Sequence, residues 1–112
     1  MTVYVDDMYL YPMGQVRGMK MSHMIANADD ELHAMAAQIG VKRRWYQGDH
    51  YDIAISKRDA AIKLGAVEIT MLQLAALSYL QRLGQEMGEP STAVERMLAH
   101  KAAKRAGEAP DA

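Results

Sequence analysis

Short strand-like segments alternate with short helical segments along residues 1–69, and this alternation limits the chain to a small set of folds. The order is strand, strand, helix, strand, helix, strand, and Gly40 and Gly65 stand where the two helices should end. Strands joined by short helices need crossover connections, which favour parallel pairing with the helices packed on the sheet. The alternation predicts an α/β fold with a small, mainly parallel sheet of about four strands and flanking helices.

The boundaries of these elements follow from β-branched runs, alternation and capping residues. The predicted strands are residues 2–6, 19–26, 41–46 and 66–69, and the polar segment 47–50 follows the third strand as a turn. The predicted helices are residues 29–39, capped by Asn27 or Asp29, and residues 56–64, capped by Ser56.

Beyond this core, residues 70–105 are predicted to form a C-terminal helical extension, and residues 106–112 a flexible tail. Thr70 is a natural N-cap for a helix over residues 70–87, and a last helix follows over residues 91–105. Leu74, Leu77 and Leu80 broaden the apolar stripe of the first of these helices beyond a single face. We therefore expect a homo-oligomer with an interface through residues 70–87.

Composition excludes several classes of function. The chain has 112 residues, a formal net charge of -1 and no cysteine, so it has room for one domain and cannot form disulfides or thiolate zinc sites. Its bulk charge does not favour a nucleic-acid partner, and any such contact would be a local patch. No apolar run reaches the roughly 18 residues that span a bilayer, and the N-terminus lacks signal-peptide features, so we expect a cytoplasmic protein without a membrane partner.

The densest group of polar side chains lies in residues 43–52, after the predicted third strand. If the first and third strands are parallel neighbours, their carboxyl ends bring this group to Asp6 and Asp7, whereas an antiparallel third strand would carry it to the opposite edge. The candidate metal ligands are Asp6, Asp7, His50 and Asp52. The candidate catalytic residues are His50, Asp52 and His33, and the candidate ligand-binding residues are Trp45, Tyr51, Arg44, Arg58, Gln47 and His23.

Carboxylates beside imidazoles favour two kinds of chemistry. They can bind a divalent metal, here of unknown identity, that polarises a phosphoryl group and activates water, or a histidine held by a carboxylate can act alone as acid or base. Structural roles remain open as well: Asp6 and Asp7 can simply end a strand, His33 can be a hydrogen-bonded core residue, and Trp45 can belong to the core. Known metalloprotease, nucleotide-triphosphatase, dinucleotide and serine-hydrolase motifs are absent from the sequence.

Several motifs between Val3 and about Ala66 occur in a characteristic order: Val-Tyr-Val-Asp-Asp at residues 3–7, Ser-His at 22–23, Glu-Leu-His at 31–33, Ile-Gly at 39–40, Trp45, His-Tyr-Asp at 50–52, Arg58 and Gly-Ala at 65–66. In these features the chain resembles domain-of-unknown-function family 4031, which occurs in bacteria and their phages. The resemblance leaves residues from Thr70 onward outside. It implies a bacterial or phage source and a shared site that includes Asp6, His23, His33, Trp45, His50 and Asp52, but no reaction.

Two functional hypotheses follow. The first is a small protein that binds a phosphate-bearing ligand, a nucleotide or a nucleic-acid phosphodiester, in the carboxylate and histidine pocket. Trp45 or Tyr51 would stack on a base, Arg44 or Arg58 would pair with phosphate, and the outcome would be metal-dependent hydrolysis or sequestration of the ligand. The alternative is a non-enzymatic oligomeric interaction module that uses the Leu-rich C-terminal helices.

Overall fold

The β-branched and aromatic residues at the N-terminus form a short central strand, Val3–Val5 (β1), in the computed structural model, which describes residues 2–108. The remaining strands are Gln15–Val16 (β2), Met19–Ala26 (β3), Tyr51–Ala54 (β4) and Val67–Glu68 (β5). The helices are Asp29–Gln38 (α1), Ile55–Lys63 (α2), Met71–Arg82 (α3) and Pro90–Glu108 (α4).

The strands form one mixed five-stranded sheet, so the mixed α/β fold is as expected but the mainly parallel sheet is wrong. β3 pairs antiparallel with β1, β2 and β4, and only the pair of β1 and β5 is parallel. The connection from β1 to β3 contains two short 3-10 turns and no crossover helix, and residues 39–50 return the chain to the end of β3 at which β4 begins. Both connections therefore reverse the chain direction, whereas the predicted crossovers would have kept it.

The third strand lies later in the chain than predicted. Residues 43–45 form a turn of 3-10 helix, and the strand starts only at Tyr51. β4 shows strict alternation, because Tyr51 and Ile53 are buried while Asp52 and Ala54 are only partly buried. Asp52 therefore belongs to a strand and not to the loop after one.

The helix ends follow the predicted stop and start signals in part. Gly40 and Gly65 adopt φ values of +80° and +106°, which an L side chain rarely adopts, directly after α1 and α2. α1 and α2 have no side-chain caps: their N-cap positions are alanines, and Asn27 instead accepts a hydrogen bond from the backbone N–H of Thr2 at 2.8 Å. At α3 the predicted cap is present, and Thr70 and Gln73 form a reciprocal capping box.

Each face of the sheet is covered by one pair of helices. α1 and α2 pack on the face that carries Val5, Met24 and Tyr51. α3 and α4 pack on the opposite face, against Tyr4 and Ile25. Alternating residues of β1 and β3 therefore belong to two separate apolar clusters, one on each face of the sheet.

The residues expected in an oligomer interface are buried inside the chain. Leu74, Leu77 and Leu80 are all within the core, because α4 and the sheet cover α3 on two sides. α3 also ends at Arg82, before the predicted residue 87, and Gly84 follows with a φ of +78°. Of the predicted tail, residues 106–108 belong to α4 and residues 109–112 lie outside the described residues. In the described part of the chain, no helix is long and apolar enough to cross a membrane.

Candidate functional site

His23 and Asp52 lie directly opposite each other on the neighbouring strands β3 and β4. Their neighbours Ser22, Tyr51 and Ile53 are fully buried on the side of α1 and α2, so the alternation of the strands turns His23 and Asp52 toward α3. The strand register thus holds an imidazole and a carboxylate side by side.

His50, the residue before β4, completes a group of three. The Nε2 atoms of His50 and His23 lie 3.4 Å and 3.8 Å from Oδ1 of Asp52. One ligand atom from each residue lies within 4.8 Å of the others, and we call these three residues the metal triad. Bonds of about 2.0–2.2 Å to one ion require ligand atoms to lie within about 4.4 Å of each other, so the two measured distances fit a shared metal.

Each residue of the metal triad is held by a partner on the side away from the others. The carboxylate of Asp6 lies 2.7 Å from Nδ1 of His23, and that of Asp49 lies 2.6 Å from Nδ1 of His50. The Gln47 amide donates to Oδ2 of Asp52 at 2.7 Å. Carboxylates that accept the Nδ1 protons leave both Nε2 lone pairs free to bind a metal, which is the usual arrangement of histidine ligands.

Oδ1 of Asp52 is the one oxygen at the centre of the triad, and it is buried without a hydrogen-bond donor among the described residues. A buried acceptor without a partner costs free energy. A cation bound between Asp52, His23 and His50 would satisfy this oxygen, and the donor set of two imidazoles and one carboxylate fits zinc, iron or manganese.

The electrostatics of the triad agree with its geometry. The carboxylate of Asp52 is the main influence that raises the pKa of His50 from 6.5 to about 9; Asp49 adds to this effect and burial opposes it. Conversely, the His50 ring, whose Nε2 lies 3.4 Å from Oδ1, and the Gln47 amide hold the pKa of Asp52 below its usual range against the effect of burial. Without a metal, His50 is therefore a cation near neutral pH, and a metal must displace its proton.

A cavity of about 240 Å³ lies between α3 and the two histidines of the triad, His23 and His50, and Asp49 lines it as well. Met71, Leu74, Ala75 and Ser78 line it from the helix, and Arg82 closes it at the helix end. Nη1 of Arg82 lies 3.3 Å from Oδ2 of Asp49. Arg82 is not among the residues predicted from the sequence, although Leu74, Ser78 and Arg82 recur every four residues and so place two polar side chains on the inner stripe of α3.

The first and third strands do not pair as expected, and Asp6 is connected to the site through His23 of β3. β1 and β4 are not neighbours, because β3 lies between them and pairs with both at Met24. Asp6 is fully buried, and its oxygens accept from the backbone N–H groups of Met8 and His23 as well as contacting the His23 ring. The carboxylate of Asp6 is therefore occupied by the ring and backbone of His23 and the backbone of Met8, and Asp6 is not among the three residues whose ligand atoms converge.

Asp7 and Arg58 also have internal partners in place of the predicted ligands. Asp7 accepts from the backbone N–H of Met71 at 2.8 Å, at the first residue of α3. Arg58 is buried; its Nε donates to the backbone oxygen of Asp6 at 2.8 Å and its Nη2 pairs with Glu68 at 3.1 Å. Arg58 is thus closed to a phosphate, and the half-buried Asp7 uses Oδ1 at the start of α3.

His33 and Tyr51 are separated from the metal triad by the sheet itself. Tyr51 lies in the core under α1, and its hydroxyl group lies 2.7 Å from Nδ1 of His33. The sequence-based pairing of His33 with His50 and Asp52, and the stacking role of Tyr51, are therefore corrected, since both side chains face the other layer of the fold.

Trp45 and Arg44 line a second, larger cleft of about 480 Å³, which Asp52 and Gln47 also line. Trp45 is 58% exposed, because it lies in a surface 3-10 turn and not in a strand, so its alternative role as a core residue is wrong. The Arg44 guanidinium lies 5.3 Å from the centre of the Trp45 ring. These two predicted ligand-binding residues are thus accessible and adjoin the triad.

The sequence profile of a family described as a protein of unknown function (DUF4031) matches residues 3–82. The matched segment runs from β1 to the end of α3. It therefore includes the metal triad, the residues that hold the triad from outside (Asp6, Gln47 and Asp49) and Arg82. It also extends past Thr70, where the sequence resemblance was thought to stop. No curated protein and no solved structure matches the chain. Because the profile covers more than half of its length, the chain belongs to the DUF4031 family.

Proposed function

We propose that the protein binds a divalent metal ion at the metal triad and uses it to bind and hydrolyse a phosphate-bearing ligand, a nucleotide or a nucleic-acid phosphodiester. The observation that carries the metal is the convergence of two Nε2 atoms on the unpartnered Oδ1 of Asp52, each residue being fixed from behind. Structural packing alone does not require three outer partners around one buried acceptor.

Three protein ligands leave at least one position on the metal for water or for the ligand. A metal held by His23, His50 and Asp52 would polarise a phosphoryl oxygen and lower the pKa of a bound water to about 7. The chain itself supplies Arg82 across the cavity, and Lys42 and Arg44 in the adjoining cleft. Guanidinium and ammonium groups beside a metal suit phosphate, which favours a phosphate ester over a neutral substrate.

The metal is tested by calorimetric titration of chelator-treated protein with zinc, manganese and magnesium. We expect one bound ion per chain, and no binding by Asp52→Asn or His23→Gln. His100→Gln, a matched change on α4, should bind like the unchanged protein. Asp52→Asn removes the carboxylate that raises the pKa of His50, so circular dichroism should accompany the titration and is expected to show that the variant stays folded. Equal metal binding by Asp52→Asn and the unchanged protein would contradict the proposal.

Turnover is tested separately, with the metal-loaded protein and bis-p-nitrophenyl phosphate or a short oligonucleotide. Release of nitrophenol or of cleaved product that disappears in Asp52→Asn supports hydrolysis. Binding of the phosphate ester without product supports the second form of the proposal, in which the protein sequesters its ligand. A cytoplasmic location, in a bacterium or a phage-infected cell, belongs to both forms and is supported by the absence of cysteine.

The alternative function, an oligomeric interaction module built from the C-terminal helices, has weaker support. The three leucines that suggested it are buried by α4 and the sheet, and the exposed leucines of these helices are Leu72, Leu83 and Leu98. Light scattering that gives a dimer mass, lost on Leu72→Lys or Leu83→Lys, would support this module.

A further inference from the structure

The cleft beside the metal triad has the chemistry of a second recognition site. Its floor is apolar, its volume of about 480 Å³ falls in the range of about 300–1,000 Å³ typical of small-molecule sites, and it meets the triad at Asp52. We call it the Trp45 cleft. Its lining residues of the sheet and of the loop before β4 include Met19, Met21, Ile53, Lys42, Arg44 and Trp45.

Trp45 offers an aromatic face that no core residue covers. It is 58% exposed, and Met19 in the same cleft is 50% exposed, although both side chains are large and apolar. An accessible tryptophan face next to flexible thioether side chains is a good surface for a flat ring, since every nucleobase can stack on it.

The charges of the cleft select the rest of the ligand. Lys42 and Arg44 are its two cations, and Asp52 is its only acidic lining residue. The proposed function assigns Asp52 to the metal, so positive charge prevails among the charged groups that the ligand meets in the cleft. A molecule with a flat ring and an anionic group matches this distribution, whereas a neutral lipid or a basic peptide does not.

We propose that the Trp45 cleft binds the base of a nucleotide, stacked on Trp45, with the phosphate directed to Lys42, Arg44 and the metal triad. The inference rests on the proposed function for the end of the ligand at the metal, but stacking on Trp45 needs only the cleft. A single cleft of this size selects one nucleotide unit, either free or at the end of a strand.

Trp45 is the only tryptophan of the chain, so its fluorescence reports directly on the cleft. The full chain is titrated with adenosine monophosphate, adenosine, inorganic phosphate and dodecanoate, with and without manganese. We expect saturable quenching by the nucleotide, weaker quenching by adenosine and none by phosphate. No quenching by either adenine compound, or equally tight quenching by dodecanoate, which has a charge and an apolar chain but no ring, would overturn the inference.

Variants separate this inference from the metal proposal. Lys42→Gln combined with Arg44→Gln should weaken nucleotide binding at least about fivefold while leaving metal binding intact, whereas the matched pair Lys104→Gln and Arg105→Gln on α4 should change neither. His23→Gln should abolish metal binding and leave quenching by adenosine unchanged. Metal binding without any quenching would overturn the cleft alone, and quenching without metal binding would overturn the triad alone.

Discussion

Asp6 and Asp7 are adjacent carboxylates that hold different parts of the molecule. Asp6 fixes the ring of His23, and Asp7 caps the first turn of α3. Asp6→Asn should weaken metal binding about 10- to 100-fold, the usual effect of losing the partner of a metal-bound histidine, and should lower the free energy of unfolding by about 1–3 kcal/mol. Calorimetry and urea unfolding measure the two effects.

Asp7→Asn is the matched control for this change. It should cost about 1 kcal/mol or less, as is typical for a weakened helix cap, and should leave the metal affinity unchanged. An equal loss of metal affinity in both variants would show that Asp6 acts only through the stability of the fold.

His50 makes the stability of the metal-free protein depend on pH. Its pKa is raised from 6.5 to about 9, so the folded state holds the proton more tightly than the unfolded chain does. This contribution is complete below about pH 6.5 and is lost as the pH rises through about 9. We expect the free energy of unfolding to fall over this range, and His50→Gln to reduce the slope. Urea unfolding between about pH 6 and about pH 10 tests this, and an equal slope in both proteins contradicts it.

For the residues of the candidate site, the sequence predicted which side chains lie near one another better than it predicted what each side chain does. It grouped Asp6 with His50 and Asp52 by expecting the first and third strands to be parallel neighbours, whereas Asp6 is linked to Asp52 through His23 of the strand between them. It could not separate orienting residues from metal-facing ones, since that distinction depends on which oxygen meets which ring nitrogen. His33 was misplaced because its position depends on which face of the sheet α1 covers.

Among the elements, α3 carries both the wall of the site and a large part of the second core. Leu77 on its inner face is 0% exposed, and Leu72 on its outer face is 58% exposed. Leu77→Ala should lower the free energy of unfolding by about 2–5 kcal/mol, because it leaves a cavity. The matched change Leu72→Ala should stay within about 0.5 kcal/mol. Thermal and urea unfolding compare the two, and equal costs would contradict the packing of α3 described above.

The elements also show where sequence patterns lose information. Residues 41–46 contain valine, tryptophan and tyrosine, which favour a strand, yet they form a loop with a 3-10 turn. The real strand, β4, has only Tyr51 and Ile53 to mark its alternation, and His50 and Asp52 made the segment resemble a polar turn. A strand of four residues is too short for its alternation to indicate a strand more strongly than its polar composition indicates a turn. Pairing with β3 is what holds Tyr51–Ala54 in the extended conformation.

For the molecule as a whole, the two apolar clusters make the sheet dependent on the C-terminal helices. A chain ending at Ile69 would expose Tyr4 and Ile25, which α3 and α4 cover. We expect such a fragment to be unfolded or to aggregate, because one face of its sheet would stay apolar and open. Circular dichroism and light scattering test this, with a chain of residues 1–108 as the control that keeps every described element. A cooperative thermal transition in the short fragment would show that residues 1–69 fold alone.

The position of Asp52 between Tyr51 and Ile53 has a consequence for how this segment can vary among related chains. A single insertion or deletion between His50 and α2 that shifted β4 by one residue would place the carboxylate in the core and an apolar side chain beside His23. Changes of composition on the outer surface of this segment are tolerable, but changes of its length are not. Functional relatives should therefore keep a constant number of residues between His50 and α2, even where the residues themselves differ.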